Sequence, residues 1–231
     1  MKVLITSGGT TEPIDDVRGI SNFATGKLGK LTAEQFLAAG HDVFLLAGSH
    51  ALLPQSAPHL TIIKITDTQS LFDHLKTLIP QMNVVIHSMA VSDYRPRYMT
   101  DLSNFSETLT RADLLNFQAQ NAKKISSKAD FQLILLEKTP KVIQFIKVWN
   151  PNVILFGFKL LAGVSEKNLL ETAKESLRKN NADFILANDL ENITENLHQA
   201  YLVSKNNSIS LENKQEIAEY LLKQAERSFH D

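Results

Sequence analysis

Near its start the chain reads Ile5-Thr6-Ser7-Gly8-Gly9-Thr10-Thr11-Glu12-Pro13, and it continues through Arg18 and Ile20-Ser21-Asn22 to Thr25-Gly26-Lys27. A hydrophobic run here gives way to small, hydroxylated and charged residues before a helical pattern opens. Such a transition places backbone N–H groups, hydroxyls and cations at one strand end, which suits the oxygens of phosphates and carboxylates. A turn with solvated polar side chains would use the same residues, so the pattern alone leaves both interpretations open.

Two common phosphate-binding motifs are absent from this loop. Ser7-Gly8-Gly9-Thr10 lacks the spacing of G-x-G-x-x-G, which is typical of dinucleotide-binding domains. Gly26-Lys27 is followed by Leu28, and Gly19 lies too far upstream for a Walker A loop. A plain dinucleotide-binding domain and a P-loop NTPase are therefore disfavoured.

The composition is that of an ordinary globular protein. The 231 residues are 43% hydrophobic and 21% charged, enough to bury a large core. Because 24 basic residues balance 25 acidic ones, no general attraction to nucleic acid or anionic membranes is expected, and any anion affinity must be local. The absence of cysteine excludes disulfides, thiolate catalysis and cysteine-ligated metals. No apolar run suits a signal peptide or a membrane span, which predicts a cytoplasmic protein.

Short apolar runs alternate with helical patterns, which predicts a three-layer, doubly wound α/β fold with a mostly parallel, Rossmann-like sheet. The predicted strands are Val3–Thr6, Asp42–Leu46, Thr61–Ile65, Asn83–His87, Gln132–Leu136, Val153–Phe158 and Asp183–Ala187. The predicted helices are Thr25–Ala39, Asp67–Ile79, Pro140–Trp149, Glu166–Lys179 and Lys214–Arg227. Before the last helix, Ala200–Ser204 and Ser208–Leu211 predict an antiparallel hairpin. Residues 1–231 are expected to form a single domain.

The region from Ser88 to about Lys128 breaks this alternation. A long polar connection in a compact domain is typical of a functional loop, so we predict a flap or dimerisation segment at about 95–128. A helical pattern over Arg111–Ala122 gives it some order. Ligands of open parallel sheets bind beyond the carboxyl ends of the strands, near the reversal of strand order. Gly8-Gly9 and Ala90–Asp93 follow two such ends, so both loops should face one crevice.

After the opening segment, five further blocks follow in order: Ala90-Val91-Ser92-Asp93-Tyr94, Lys124-Ile125-Ser126-Ser127, Thr139-Pro140-Lys141, Gly157-Phe158-Lys159-Leu160 and Ala187-Asn188-Asp189. With these six blocks the chain resembles the phosphopantothenate-cysteine ligases of coenzyme A biosynthesis. In bacteria this ligase is often the C-terminal half of a fusion with a flavin-dependent decarboxylase. This chain starts at the ligase's first strand, so the resemblance implies a stand-alone form without a flavin site, and a separate decarboxylase is a possible partner.

The resemblance implies a two-step ligation. The carboxylate of 4'-phosphopantothenate attacks the α-phosphate of a nucleoside triphosphate, which gives an acyl nucleotidylate and pyrophosphate, and the amine of L-cysteine then displaces the nucleotide. CTP with Mg²⁺ is the expected co-substrate, with ATP as the alternative. A homodimer is expected, whereas nucleic acid and membranes are not expected partners.

The resemblance also assigns roles to individual residues. Asn22 and Lys124 are the predicted catalytic residues, since Asn22 would engage phosphopantothenate and its acyl intermediate, and Lys124 would serve nucleotide binding and turnover. No metal ligand is assigned. The predicted substrate-binding residues are Gly8, Gly9, Thr10, Arg18, Asn22, Lys27 and Ala90. The predicted nucleotide-binding residues are Asp93, Lys124, Pro140, Lys141, Val142, Ile143, Phe158 and Lys179.

One departure from the bacterial pattern affects the choice of nucleotide. The two lysines expected late in the helix before Asn188 fall on Ser176 and Asn180, and Lys179 lies beside the expected register. CTP remains favoured over ATP. Two other functions stay open as alternatives, an NAD(P)-dependent oxidoreductase and a non-catalytic nucleotide-binding subunit, although the missing glycine fingerprint disfavours the oxidoreductase.

Overall fold

A computed structural model of the chain describes residues 1–119, 123–194 and 197–230. Within these ranges the strands are β1 (Lys2–Ser7), β2 (Thr11–Pro13), β3 (Gly19–Ser21), β4 (Asp42–Gly48), β5 (Leu60–Ile65), β6 (Val84–His87), β7 (Tyr94–Asp101), β8 (Gln132–Lys138), β9 (Ile154–Leu161), β10 (Phe184–Ile193), β11 (His198–Ser204) and β12 (Ser208–Leu211). The α-helices are α1 (Lys27–Ala38), α2 (Thr68–Leu78), α3 (Arg111–Asn116), α4 (Ile143–Trp149), α5 (Glu166–Lys179) and α6 (Lys214–His230). Two short 3-10 helices span Ile79–Gln81 and Leu102–Asn104.

Eight strands form the main sheet in the order β12-β11-β10-β9-β6-β1-β4-β5. The pairs from β10 to β5 are parallel, whereas β10, β11 and β12 pair antiparallel. The predicted doubly wound, mostly parallel sheet with a C-terminal antiparallel hairpin is confirmed. Strand order reverses between β1 and β6, because the chain first builds outward through β4 and β5 and then returns to the other side of β1.

Two hydrophobic cores lie on the two faces of this sheet. Val3 and Ile5 of β1 pack on one face with residues of α1 and α6, such as Phe36 and Leu221. Leu4, between them in the sequence, points to the opposite face, where α2, α4 and α5 pack. Successive strand residues alternate between faces, so an uninterrupted apolar run is what a strand with helices on both sides requires. The helix–sheet–helix layers confirm the predicted three-layer architecture.

One predicted strand does not belong to the main sheet. The sequence predicts Gln132–Leu136 as part of the alternating series, but β8 pairs antiparallel with β7 in a separate two-stranded ribbon. None of the side chains of β8 is fully buried, and Ile134 and Leu136 are exposed. A strand without two buried faces does not suit the interior of a parallel sheet. The ribbon was not predicted; β7 forms the start of the central segment, and β8 follows the end of that segment.

The predicted helix over Arg111–Ala122 is shorter in the structure. α3 starts as predicted, with the Thr110 hydroxyl and the Asp113 carboxylate capping each other's backbone N–H groups, but it ends at Asn116, and Ala122 lies outside the described residues. Phe117 adopts an extended conformation. Its ring packs against Tyr98 and Phe105, with centroid distances of 5.2 and 4.9 Å, so tertiary packing ends the helix.

α4 also begins later than predicted. The sequence predicts a helix from Pro140, whereas α4 starts at Ile143. The carbonyl oxygens of Lys141 and Val142 accept hydrogen bonds from the amides three residues ahead, so one tight turn precedes the helix. In the described part of the chain, no helix combines the length and the apolar content that a bilayer crossing demands.

Candidate ligand-binding crevice

The loops after β1 and β6 are joined at the point where strand order reverses. The Thr10 amide donates to the Ala90 carbonyl oxygen at 3.1 Å, and the Ala90 amide donates to the Gly8 carbonyl oxygen at 2.9 Å. Gly9 and Ala90 thereby form an isolated parallel bridge. The bridge extends the β1–β6 pairing beyond the sheet, and Gly8 and Ala90–Asp93 line one cavity, as the sequence predicts for the two loops.

Thr10 and Gly9 shape this junction. The Thr10 hydroxyl donates to Ser92 Oγ and accepts from the Ser92 amide, both at 3.0 Å, and both residues are buried. A Cβ atom on Gly9 would lie 2.9 Å from the Asn22 carbonyl oxygen, closer than side-chain atoms pack. The Thr10 hydroxyl is therefore engaged by Ser92. The absence of a side chain at Gly9 lets the Asn22 backbone pack against the Gly9 backbone.

Asn22 ties its own loop to the junction. Its side-chain nitrogen donates to the Ala90 carbonyl oxygen at 3.0 Å and to Ser92 Oγ at 3.2 Å. The residue is exposed, and among the described residues no group donates to its amide oxygen. The Asn22 amide oxygen is therefore free to accept a hydrogen bond from a ligand.

A cavity of about 520 Å³ opens beside the joined loops. Its walls come from the start of α1, the loop after β6, the turn before α4, the end of β9, strand β10 and the first residues of β11 and α6. A cleft of this size suits a small organic ligand. The predicted site residues that line it are Gly8, Lys27, Ala90, Asp93, Pro140, Lys141, Val142, Ile143 and Phe158.

The start of α1 presents positive charge to the cavity. Gly26 precedes the helix with a φ of 72°, a left-handed conformation that glycine adopts without strain, and its carbonyl oxygen accepts a hydrogen bond from Ser7 Oγ at 3.1 Å. The Lys27 amide donates to the Thr25 hydroxyl at 3.4 Å, and Gly26, at the N-cap of this 12-residue helix, has no side chain to cap the amides that follow. These amides and the Lys27 ammonium are suited to binding the oxygens of a phosphate.

The opposite wall carries an ion pair between two predicted nucleotide-binding residues. Lys141 Nζ pairs with Asp93 Oδ1, and both side chains are more than half exposed. Thr139 holds their backbones together, since its amide donates to the Asp93 carbonyl oxygen at 3.0 Å and its hydroxyl donates to the Ser92 carbonyl oxygen. Val142 is buried and contributes only to the shape of the wall.

Residues 1–104 and 110–228 match the family described as DNA/pantothenate metabolism flavoprotein C-terminal domain (DFP). The chain belongs to this family. The family membership predicted from the sequence blocks is thereby confirmed.

Individual relatives agree with this assignment. The crystal structure of the DNA/pantothenate metabolism flavoprotein from Streptococcus pneumoniae is 45% identical, with a TM-score of 0.93 over 98% of this chain and 99% of that chain. The coenzyme A biosynthesis bifunctional protein CoaBC of Borreliella burgdorferi is 30% identical over 228 residues, which are 96% of this chain and 51% of that protein. The chain thus spans about half the length of the curated relatives it matches.

A more distant structure shares the fold. It is Cab2 mutant H337A in complex with phosphopantothenate-cysteine, with a TM-score of 0.72 and 22% identity over 99% of this chain and 86% of that chain. At this level of identity the likeness concerns the architecture alone.

The C-terminal elements contribute three polar residues to this crevice that were not predicted as site residues. Asn188, His198 and Lys214 line its far end, and they come from β10, β11 and the first position of α6. The pKa of Lys214 is lowered by burial and by the nearby Lys27 ammonium. Asn188 stood in a family block, but nothing in the local sequence marks His198 or Lys214, because the C-terminal hairpin and helix reach the crevice only through the fold.

His87 ends β6 on the floor of the crevice and is neutral at physiological pH. It is buried, its Nδ1 lies 3.0 Å from Thr6 Oγ1, and burial lowers its pKa from 6.5 to about 4. A charged imidazolium would have to lose its water shell at this position. The floor of the site therefore offers a neutral imidazole.

We expect the buried His87 to make the free energy of unfolding pH-dependent. Unfolded His87 binds a proton below about pH 6.5 and folded His87 only below about pH 4, so stability falls as the pH drops through this interval. The His87 contribution should amount to about 2 kcal/mol between pH 7.5 and pH 5. Urea unfolding of the wild type and of His87→Asn at both pH values measures it. The wild type should lose more stability on acidification than the variant does, and equal losses would contradict the assignment.

Arg18 lies outside the crevice and holds the segment that carries Lys124. Its guanidinium pairs with Asp15 at 2.6 Å and donates to the Ile125 carbonyl oxygen at 3.0 Å. The Ile125 amide donates to the same Asp15 carboxylate, at 3.0 Å. The Arg18 hydrogen bond, followed by that of the Ile125 amide, holds the pKa of Asp15 well below its usual range. The direct substrate contact predicted for Arg18 is therefore not supported within one chain, because its guanidinium is engaged in this anchor.

Loss of the anchor should expose the segment to proteases. We expect Arg18→Gln to accelerate tryptic cleavage after Lys123 and Lys124, since cleavage requires local detachment of the backbone. Mass spectrometry of timed digests identifies the cleaved bonds. The control is Arg95→Gln, which removes an exposed ion pair with Glu137 on the β7–β8 ribbon and should leave cleavage at this segment unchanged. Equal cleavage rates in wild type and Arg18→Gln would contradict the anchor.

Lys124 and Lys179, both predicted to bind nucleotide, do not line the crevice of the single chain. Lys124 is exposed beside the anchor described above. Lys179 is the last residue of α5, which runs back across the sheet from its carboxyl edge. Asp183, four residues later, hydrogen-bonds to the Leu155 carbonyl oxygen at the opposite, amino edge. Because α5 ends near the amino edge of the sheet, Lys179 lies away from the crevice of its own chain, which does not favour the nucleotide-binding role predicted for it.

Proposed function

We propose that this chain joins 4'-phosphopantothenate to L-cysteine through an acyl-nucleotidylate intermediate. The nucleoside triphosphate is CTP by preference, with ATP as the alternative, and Mg²⁺ accompanies it. Membership of the DFP family supports the proposal, as do relatives named for coenzyme A biosynthesis. The proposed reaction uses no flavin.

The junction made by Asn22 is the observation that carries the proposal. Its side chain binds the loop after β6, so that its own loop, Lys27 and the wall of Asp93 and Lys141 surround one cavity. In the first step a carboxylate must approach a polyanionic triphosphate, and charge builds up on the phosphate oxygens. Donors and cations fixed in advance lower such a barrier, and a single donor contributes on the order of 3 kcal/mol.

In this proposal each of the two walls of the crevice binds one of the two phosphorylated substrates. Phosphopantothenate lies along the loops that contain Gly8, Asn22 and Ala90, with its phosphate oxygens toward Lys27. The nucleotide lies against the wall formed by Asp93, the turn at 140–143 and Phe158, where a half-buried ring can contact the base.

The residues of the crevice are compatible with a Mg²⁺ ion that binds together with the triphosphate. No group of three His, Asp or Glu side chains in residues 1–119, 123–194 and 197–230 could hold a metal ion by itself. Mg²⁺ at nucleotide sites is commonly bound by one or two carboxylates together with phosphate oxygens. Asp93 is the carboxylate of the crevice that could join it, and the ion would neutralise charge on the triphosphate.

Lys124 is proposed to act on the triphosphate from the anchored segment. A lysine ammonium on a flexible four-carbon chain provides a mobile point charge for phosphate oxygens. The single chain leaves Lys124 exposed, so it reaches a nucleotide either by movement of its segment or in the crevice of a second copy in a homodimer. Lys179 is not part of the proposed site.

A product assay tests the proposal. The protein is supplied with phosphopantothenate, L-cysteine and Mg²⁺, together with either CTP or ATP, and the products are identified by mass spectrometry. Phosphopantothenoylcysteine, pyrophosphate and a nucleoside monophosphate should form in equal amounts. A nucleoside diphosphate with free phosphate would contradict the acyl-nucleotidylate, because it indicates an acyl phosphate instead.

Omission of cysteine separates the two steps. Labelled pyrophosphate should still exchange into the triphosphate when phosphopantothenate is present, and no exchange should occur without it. Nucleotide binding without exchange or product would favour the non-catalytic alternative and overturn the proposal.

A further inference from the structure

Phe23 is a fully exposed aromatic residue at the mouth of the crevice. Its ring is more exposed than that of any other large hydrophobic residue in the described part of the chain, and it lines the cavity. An exposed phenylalanine forgoes the free energy that burial of its ring would provide. Single exposed apolar residues are common, so exposure alone would carry no conclusion.

The backbone holds Phe23 in this position. The Ala24 amide donates to the Asn22 carbonyl oxygen at 2.9 Å, which makes a three-residue turn with Phe23 at its centre. On one side, the Asn22 side chain is fixed to Ala90 and Ser92. On the other side, the Thr25 carbonyl oxygen accepts a hydrogen bond from the amide of Leu52 at 2.9 Å. A turn anchored at both ends keeps the ring at the cavity mouth instead of letting it collapse onto the surface.

We propose that Phe23 is a substrate-positioning residue whose ring packs on the branched aliphatic part of phosphopantothenate. This inference rests on the proposed function. Phe23 lies between Asn22 and Lys27 in the sequence, and these residues are proposed to meet the two ends of that substrate. Phosphopantothenate carries a carbon with two methyl groups between its phosphate and its carboxylate. A ligand bound at both ends would lay this apolar middle along the ring.

The position of Phe23 favours this substrate over the nucleotide. The proposed nucleotide wall, with Phe158 and the Asp93–Lys141 pair, is formed by β9 and the segments around 93 and 140. Phe23 belongs to the loop before α1 instead. A ring on this loop covers phosphopantothenate and leaves the base to the other wall.

Kinetics provide the first test. Phe23→Ala should raise the KM for phosphopantothenate about tenfold, and the KM for the triphosphate and kcat should change little, because the contact is made equally in the ground state and the transition state. Phe23→Leu should recover most of the loss. An unchanged KM for phosphopantothenate in Phe23→Ala, or an increase confined to the triphosphate, would overturn the inference.

Fluorescence provides a second test that does not depend on turnover. The chain has one tryptophan, Trp149, so Phe23→Trp in a Trp149→Phe background reports on the crevice mouth alone. Phosphopantothenate should shift its emission to the blue, and CTP alone should not. Phe229→Trp in the same background is the control, since Phe229 is an exposed residue near the end of α6. It should show no shift.

The outcomes separate this inference from the proposed function. A blue shift with phosphopantothenate in a protein that forms no amide product would contradict the proposed reaction. It would still support contact between the Phe23 ring and phosphopantothenate. Normal product formation without a shift would overturn the role of Phe23 alone. Emission that is blue before ligand is added, and that changes with protein concentration, would show that a second copy covers the ring and would also overturn the inference.

Discussion

Asn22→Asp should lower kcat/KM for phosphopantothenate about a hundredfold or more, which makes it one of the two most damaging substitutions expected in this chain. The wild-type amide donates two hydrogen bonds, to the Ala90 carbonyl oxygen and to Ser92 Oγ. A carboxylate cannot donate to the Ala90 oxygen, and it adds negative charge beside an anionic substrate. The two crevice loops should separate, and the acyl intermediate should be handled poorly.

Steady-state rates and the pyrophosphate exchange measure this effect. Asn206→Asp is the matched control, because it makes the same chemical change at an exposed position of the β11–β12 turn. The control should keep wild-type rates. If Asn22→Asp also kept them, the Asn22 junction would not organise the site, and the proposal would lose its main structural support.

Lys124→Gln should reduce nucleotide-dependent turnover about a hundredfold. The change removes a point charge that is proposed to bind triphosphate oxygens and keeps a side chain of similar length. We expect the KM for the triphosphate to rise and kcat to fall, with little change in the KM for phosphopantothenate. Lys123→Gln is the control, since the neighbouring side chain is also exposed and loses the same charge. Equal effects of both substitutions would show that only the general charge of the segment matters.

A mixture of the two variants tells whether Lys124 acts within its own chain. If Lys124 enters the crevice of a second copy, dimers of Asn22→Asp with Lys124→Gln contain one intact site and one site that carries both changes. Random exchange of subunits should then restore about a quarter of the wild-type activity. No recovery after confirmed exchange would show that Lys124 serves its own crevice.

Several features of the fold followed from local patterns. Uninterrupted apolar runs such as Val3–Thr6 predicted strands that are buried on both faces, and the two cores on either side of β1 confirm this. The helical pattern from Glu166 to Lys179 was predicted with its observed bounds from the apolar face that repeats along it, and in the structure Ser165 caps its start. The pairing of β8 was predicted wrongly, because a short half-apolar run does not specify its partner.

Site residues were predictable to the extent that they stood in recognisable blocks. Gly8, Ala90 and Phe158 were placed in the crevice as expected, and the strand order explains why distant loops meet there. Arg18 lies outside the crevice, because the fold places its guanidinium against Asp15 and the Ile125 carbonyl oxygen. His198 had no sequence signal at all, since its position in the crevice depends on how β11 pairs with β10.

The sequence by itself determined the fold class, the family and the loops that are proposed to bind the substrates, because each of these depends on blocks of residues that are close together in the chain. Only the tertiary structure decided which of those residues share a cavity, that Asn22 joins the two loops, that Lys124 lies outside the crevice of its own chain and that Phe23 stands at its mouth. The physical reason is that such placements come from contacts across long sequence separations. Local propensity and periodicity predict a strand or a helix. The position of the loop that follows it depends on long-range hydrogen bonds, such as that from the Asn22 side chain to the Ala90 carbonyl oxygen.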